Sequence, residues 1–241
     1  MKHEYLDYTD GDVVCEGYVS CDDTKRTRRP CVLVCHAWGG QSDAERQIAR
    51  DIAQLGYVAM AIDVYGKGVR GDPLQGNEKL MQPFLADRAL LRRRLTAAVE
   101  AARQHPLVDP ESVGVVGYCF GGLCALDVAR SGVAGVRAAV SFHGIFYPPD
   151  LGEQQRITAK ILLLHGYADP MAPPEHVLAV AKELTDAQAD WQLHAYGHAM
   201  HAFTHPGANL PAAGIMYNPA AARRSWIAMK NFLEEVLGRQ H

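Results

Sequence analysis

Short, continuous apolar runs alternate along this chain with longer segments whose apolar positions recur every three or four residues. The runs are Cys31 to Cys35, Tyr57 to Asp63, Ser112 to Val116, Val136 to Phe142, Ile161 to His165 and Trp191 to Tyr196. They are short and mostly rich in valine, isoleucine or leucine, so they predict strands, most of them buried on both faces. Helical spacing appears over Asp43 to Leu55, closed by Gly56, and over Phe84 to Gln104, where Leu91, Leu95, Ala98, Val99 and Ala102 share a stripe and Pro106 follows. It recurs over Gly122 to Arg130, closed by Ser131-Gly132, over Glu175 to Ala187, and over Pro219 to Leu237. Val13 to Val19 predicts an edge hairpin, and Gly66 to Gly76 a loop too polar for the core. Such alternation predicts an α/β fold, a mostly parallel central sheet with helices on both faces. No repeat, low-complexity tract or linker breaks the pattern, so residues 1–241 are expected to form a single domain.

Composition narrows the function classes. A hydrophobic content of 48% over 241 residues is enough for a full core. The formal charge of −3, from 24 basic and 27 acidic residues, gives no overall basic field for nucleic acid. Arg92-Arg93-Arg94 is expected on the solvated face of a helix. The start lacks the apolar centre of a signal peptide and no apolar run is long enough to span a bilayer, which predicts a soluble, cytoplasmic protein with no membrane partner. Six cysteines in a chain this long, without a secretion signal, are expected to be reduced. Cys31 and Cys35 fall on one face of a strand, where packing is a better explanation than zinc.

Candidate chemistry centres on Gly117-Tyr118-Cys119-Phe120-Gly121, which has the form G-x-nucleophile-x-G with cysteine where serine is usual. A strand precedes it and a helix follows, the strand, sharp turn and helix that the motif requires. The helix start would lower a thiol pKa and stabilise negative charge developing on a substrate oxygen. The competing reading of Cys119 is a small, inert, buried residue.

A thiol needs a base, and sites in open parallel sheets form at the carboxyl ends of strands. Asp169 follows one predicted strand within Gly166-Tyr167-Ala168-Asp169-Pro170, and His201 follows another within Gly197-His198-Ala199-Met200-His201-Ala202-Phe203. Cys, Asp, His is the chain order of α/β-hydrolase triads. In that assignment His201 takes the thiol proton and Asp169 holds the imidazole tautomer. His198 and His205 compete for the base role, and Asp169-Pro170 also reads as a plain turn. His194, His198, His201 and His205 are spaced four, three and four apart, which on a helix would align four metal ligands. Their segment begins as a strand followed by glycine, so that spacing is not expected to be realised.

These three motifs, in this order, resemble the dienelactone hydrolase family, a cysteine-dependent branch of the α/β-hydrolase superfamily, over nearly the whole chain. The resemblance implies the α/β-hydrolase fold and hydrolysis of a small ester or lactone through an acyl-cysteine, with Cys119, Asp169 and His201 as the triad. No metal or organic cofactor is implied. The second oxyanion-hole N–H would come from Ala37 or Trp38 of His36-Ala37-Trp38-Gly39-Gly40, beside that of Phe120. Trp38, Tyr147, Phe203 and His205 are the candidate substrate-binding side chains, with Phe120 also beside the pocket. Two positions depart from the family. Well-known members carry a glutamate at the position of Ala37, where it contacts the resting thiol, and a substrate-binding arginine at the position of His205; Arg70 is a candidate replacement, and Arg88 is expected to be a helix-surface charge. The expected partner is a small-molecule ester or lactone, and the expected state is a monomer or homodimer. Rival readings are a general carboxylesterase or thioesterase, and a non-catalytic binding protein on the same fold.

Overall fold

A computed structural model describes residues 1–72 and 76–238. Strands β1 (Lys2–Asp10), β2 (Val13–Cys21), β3 (Arg29–Cys35), β4 (Val58–Ala61), β5 (Val108–Tyr118), β6 (Val136–Phe142), β7 (Lys160–Gly166) and β8 (Trp191–Tyr196) form one sheet. Its order is β1-β2-β4-β3-β5-β6-β7-β8. The β1–β2 hairpin is antiparallel, β2 joins β4 antiparallel, and all pairs from β4 to β8 are parallel. Around the sheet lie α1 (Asp43–Gln54), α2 (Glu78–Ala86), α3 (Arg88–Arg103), α4 (Phe120–Ser131), α5 (Pro174–Asp186) and α6 (Pro219–Leu237). A small hairpin of β9 (Asn209–Leu210) and β10 (Ile215–Met216) precedes α6. This is the α/β-hydrolase strand order, with the expected helices on both faces.

Alternation along the buried strands sorts the core into two layers. Cys31, Leu33 and Cys35 of β3 pack with Leu91 and Leu95 of α3, Leu123 and Leu126 of α4, and Val180 and Leu184 of α5. Val32 and Val34 point the other way, toward Ile52 of α1 and Met229, Phe232 and Leu233 of α6. Both faces of the central strands are covered, which is why their sequences are continuously apolar. Truncating any of these enclosed leucines to alanine would cost about 2–5 kcal/mol.

The chain leaves β3 through α1 to β4 on one side and returns from β4 through α2 and α3 to β5 on the other side of β3, so its winding reverses between β3 and β5. Cys35 pairs with Gly117 there, which sets the loop after β3 beside the loop after β5. A crevice for a ligand opens at such a reversal, outside the carboxyl ends of the strands.

Several expectations are corrected. The helix expected over Phe84 to Gln104 is two helices: Asp87 ends α2 and caps α3 by accepting the Leu90 N–H at 2.9 Å. Arg88 and Arg94 are not surface charges but buried. Arg94 donates to Asp10 of β1 and to the Val64 carbonyl, Arg93 binds the other Asp10 oxygen, and Arg88 pairs with Asp127 of α4. These partners leave their charges satisfied away from bulk water. β1, read as no element in the sequence, completes the expected hairpin. Part of the Gly66 to Gly76 loop, residues 73–75, lies outside the described residues. No helix among the described residues is long and apolar enough to cross a membrane.

Candidate active site

Cys119 sits between the last residue of β5 and the first of α4, at φ 59° and ψ −118°. A non-glycine residue in this region stores strain of about 1–3 kcal/mol. Two tight glycines shape the turn: a Cβ on Gly117 would lie 1.9 Å from the Gly121 carbonyl oxygen, and one on Gly121 would lie 2.3 Å from that of Cys35. The neighbouring strand helps to hold the strained residue, since its N–H donates to the Phe142 carbonyl at 3.1 Å. The side chain is half-buried at the crevice, and the Phe120 N–H donates toward its sulfur.

His201 and Asp169 come from the two loops that follow β8 and β7. The imidazole Nδ1–H donates to Asp169 Oδ2 at 2.8 Å, and both side chains are almost wholly buried. The other carboxylate oxygen accepts the Met171 N–H at 2.8 Å. The His201 backbone is held on both sides by the small hairpin: its N–H donates to Gly214 at 2.8 Å and its carbonyl accepts from Met216 at 3.1 Å. With Nδ1 committed to Asp169, the buried Nε2 has no conventional hydrogen-bond partner, and the group it interacts with is the Cys119 thiol.

The electrostatics favour an ion pair. Burial opposes a Cys119 thiolate, but the His201 charge and hydrogen bond, with the Phe120 N–H, bring its pKa below the ordinary thiol value. Burial likewise opposes an imidazolium at His201. The thiolate and the Asp169 carboxylate overcome that opposition and raise its pKa to about 10. At the other thiols burial outweighs any cation nearby, such as Arg94 beside Cys15 and Arg88 beside Cys124, and it pushes Cys31 to about 12 and Cys124 well up.

Of the competing histidines, His198 is exposed in a turn at φ 61°, and His205 is exposed with its Nδ1 accepting the Gly207 N–H at 2.9 Å. His194 lies within β8, so the helical ligand spacing is not formed, and among the described residues no group of three or more His, Cys, Asp or Glu is placed to hold a metal ion. Trp38 is half-buried and, like Cys119, packs against the larger core cluster. Phe203 is corrected: its side chain is wholly enclosed by Tyr196, His143, Ala199 and Ala221, and so cannot touch a substrate. Tyr147 is exposed and packs on His176, lining a cleft of about 480 Å³ with Leu85, Arg88 and Leu151 that Cys119 does not line. Arg70 is turned back on its own loop, donating to Asp63, Gly66 and Val69.

Two participants went unnoticed in the sequence. His143, directly after β6 at φ 37°, lies with its ring 5.3 Å from that of His201 and shares a 2.7 Å hydrogen bond with the Thr204 hydroxyl. Burial, and then the His201 charge, hold its pKa well below the usual histidine value, so it adds no positive charge beside the imidazolium. Its signal was the one that located Asp169 and His201, a position just after a strand. Glu45 is the second: its carboxylate accepts from the Ser42 N–H at 2.8 Å, from the Ser42 hydroxyl at 2.6 Å, and from the Ala37 N–H at 3.5 Å.

The strand order, the strained elbow and the ordered Cys, Asp, His loops define an α/β-hydrolase. Residues 15–237 match the dienelactone hydrolase family, and the chain belongs to it. It is 37% identical to a solved dienelactone hydrolase-like promiscuous phosphotriesterase from metagenomic libraries, with a TM-score of 0.92 over 98% of this chain and 99% of that one. A probable 2-oxo-3-(5-oxofuran-2-ylidene)propanoate lactonase of Bradyrhizobium is 30% identical across 83% of this chain and 81% of its own length. A putative carboxymethylenebutenolidase of Aquifex aeolicus is 26% identical across 97% and 99%. The protein is therefore a dienelactone hydrolase-like hydrolase that acts on carboxylic ester or lactone bonds.

Proposed function

We propose that this protein hydrolyses a small ester or lactone through an acyl-cysteine intermediate on Cys119, with His201 as the proton carrier and Asp169 as its orienting acid. The observation that carries the reading is the 2.8 Å bond between Asp169 and His201 Nδ1, which leaves Nε2 for the thiol at the strained elbow. The thiolate adds to the substrate carbonyl, and the oxyanion is received by backbone N–H groups. Collapse breaks the carbon–oxygen bond of the leaving group, which takes a proton from the His201 imidazolium. A water molecule then gives its proton to the neutral imidazole as it adds to the thioester, and the acid departs as the cysteine sulfur is released and the ion pair is restored. Two N–H groups are assigned to the oxyanion, that of Phe120 being released from the sulfur once the thiolate is consumed in the new bond. Phe120 begins α4, and Trp38 is the candidate in the loop after β3, because the Ala37 N–H is already donated to Glu45. No cofactor enters the scheme, and the protein acts in the cytoplasm on a small-molecule substrate.

The test is hydrolysis of p-nitrophenyl acetate, an acyl thioester and a dienelactone by the parent and Cys119→Ala, with mass spectrometry of the quenched parent. Loss of turnover in the variant and an acyl adduct on the peptide carrying Cys119 are expected. Equal activity of parent and variant would sink the assignment. Preference for the thioester would favour the thioesterase reading, and binding without turnover would favour a binding protein. Likeness to the metagenomic phosphotriesterase supports adding paraoxon to the panel as a second substrate class.

A further inference from the structure

The Ala37–Trp38 peptide is held by its oxygen. His36 Nε2 accepts the Val64 N–H at 3.1 Å, which leaves Nδ1 as the protonated nitrogen, and Nδ1–H donates to the Ala37 carbonyl at 2.6 Å. The Gly40 N–H reaches the same oxygen at 3.2 Å. In a trans peptide the carbonyl and the following N–H point in opposite directions, so two donors on the Ala37 oxygen fix where the Trp38 N–H is aimed. The flanking groups are fixed too: the Ala37 N–H goes to Glu45, and the Trp38 carbonyl accepts the Tyr65 hydroxyl at 2.8 Å. The His36 ring is wholly buried, with Tyr65 edge-on at 4.7 Å and Phe120 at 6.2 Å between ring centres. Burial favours its neutral form, the form whose Nε2 can accept from Val64.

We propose that His36 is the positioning residue of the oxyanion hole, orienting and polarising the Ala37–Trp38 peptide so that the Trp38 N–H meets the developing oxyanion. The inference rests on the acyl-cysteine reading above. Val64 N–H, the imidazole, the Ala37 carbonyl and the Trp38 N–H form one chain of donors and acceptors, and each bond in such a chain strengthens the next. The N–H at the end of the chain is thereby a better donor than a solvated amide, and it pays no reorganisation when charge develops.

Alkylation and acyl transfer separate the two roles. Iodoacetamide reacts with a thiolate by displacement and develops no oxyanion, whereas ester hydrolysis needs the hole. In His36→Leu, kcat for p-nitrophenyl acetate is expected to fall by roughly 10²-fold with KM within about twofold. The alkylation rate of Cys119 should stay within about twofold of the parent, and inhibition by a substrate-like aldehyde should weaken in step with kcat. His36→Gln, whose amide offers one donor and one acceptor, should recover most of the loss. Where His36→Leu does not fold, His36→Asn serves, since its shorter amide stays polar but cannot reach both partners. Unchanged kcat in either variant, or kcat and alkylation falling together, would overturn the positioning role. A parent whose Cys119 is not alkylated, or a fully active Cys119→Ala, would instead overturn the underlying acyl-cysteine reading.

Discussion

Replacing Asp169 by asparagine keeps the shape of the acid and removes its charge. In the parent the carboxylate lies 2.8 Å from His201 Nδ1 with no exposed side-chain surface, so its effect is little screened. A hydrogen bond to a charged group contributes about 1.5–3 kcal/mol, which at 1.36 kcal/mol per unit corresponds to about 1–2 pKa units. Losing it lowers the His201 pKa from its raised value of about 10, and the weaker imidazolium no longer draws the Cys119 pKa down as far. The sign holds although Asp169 itself repels the thiolate, because the attraction of His201 is the larger influence on Cys119. Asparagine adds a tautomer error: its amide N–H donates to Nδ1 and places the ring proton on Nε2, the nitrogen that must accept from the thiol. The alkylation midpoint of Cys119 should therefore rise by about 1–2 pH units. Ester hydrolysis at neutral pH should fall by at least roughly 10²-fold. The assay is the rate of iodoacetamide modification across pH, followed by mass spectrometry, beside p-nitrophenyl acetate turnover. A midpoint that stays put or moves down, with turnover within about threefold of the parent, would refute the role given to Asp169.

Two further outcomes follow from buried charge. Arg130 donates to Glu183 and Asp127 and to the carbonyls of Phe146 and Tyr147, so Arg130→Met leaves Glu183 without its cation and Asp127 with Arg88 alone, and should destabilise the fold by about 3 kcal/mol in urea unfolding; an unchanged midpoint would show that the network carries little stability. His36 and His143 are buried with pKa values below 6.5, so below pH 6.5 the unfolded chain binds protons that the folded one refuses. Their stabilisation is complete above pH 6.5 and is lost as pH falls toward the folded values, at about 1.4 kcal/mol per pH unit for each group. His143→Gln should flatten that acid limb, and a limb of unchanged slope would mean that His143 is not held neutral.

Most of the architecture was legible because its signals are periodic or punctuated. β6, β8 and α6 occupy the residues their patterns predicted, and Gly132 ends α4 in the left-handed conformation that glycine at a helix end predicts. β1 was hidden because it is an edge strand whose alternation runs between charged residues and tyrosines, with only Tyr8 and Asp10 buried. The break at Asp87 was hidden because Phe84 and Leu91 continue one apolar stripe across it. Burial of Arg88 and Arg94 could not be read, since Asp127 and Asp10 stand 39 and 84 residues away. Asp169 and His201 were findable by a rule about strand ends, and the structure brings them together. Phe203, read as an aromatic lining the pocket, failed because an aromatic residue two places after His201 can turn into the core as readily as toward a ligand. The two-residue strands β9 and β10 carry no period at all.

The hairpin that escaped detection explains how acid and base keep their register. Gly214, at φ 71°, accepts the His201 N–H through its carbonyl, and a Cβ at this position would lie 2.3 Å from Pro170 Cγ, next to the acid. One residue thus packs against the loop of Asp169 and bonds the loop of His201, which ties the two loops together. That coupling matters because position 37 is alanine. With alanine there, no carboxylate from that loop contacts the thiol, and Glu45, the nearby acid, has its oxygens occupied by Ser42 and Ala37. Among the described residues, the cation that favours the Cys119 thiolate is His201, whose own charge Asp169 supports. On the proposed mechanism the nucleophile is therefore armed before substrate arrives, by a pair whose geometry is set by backbone contacts. Such a site selects its substrates by fit to the oxyanion hole and the crevice rim, which favours a range of small esters and lactones over a single anionic one.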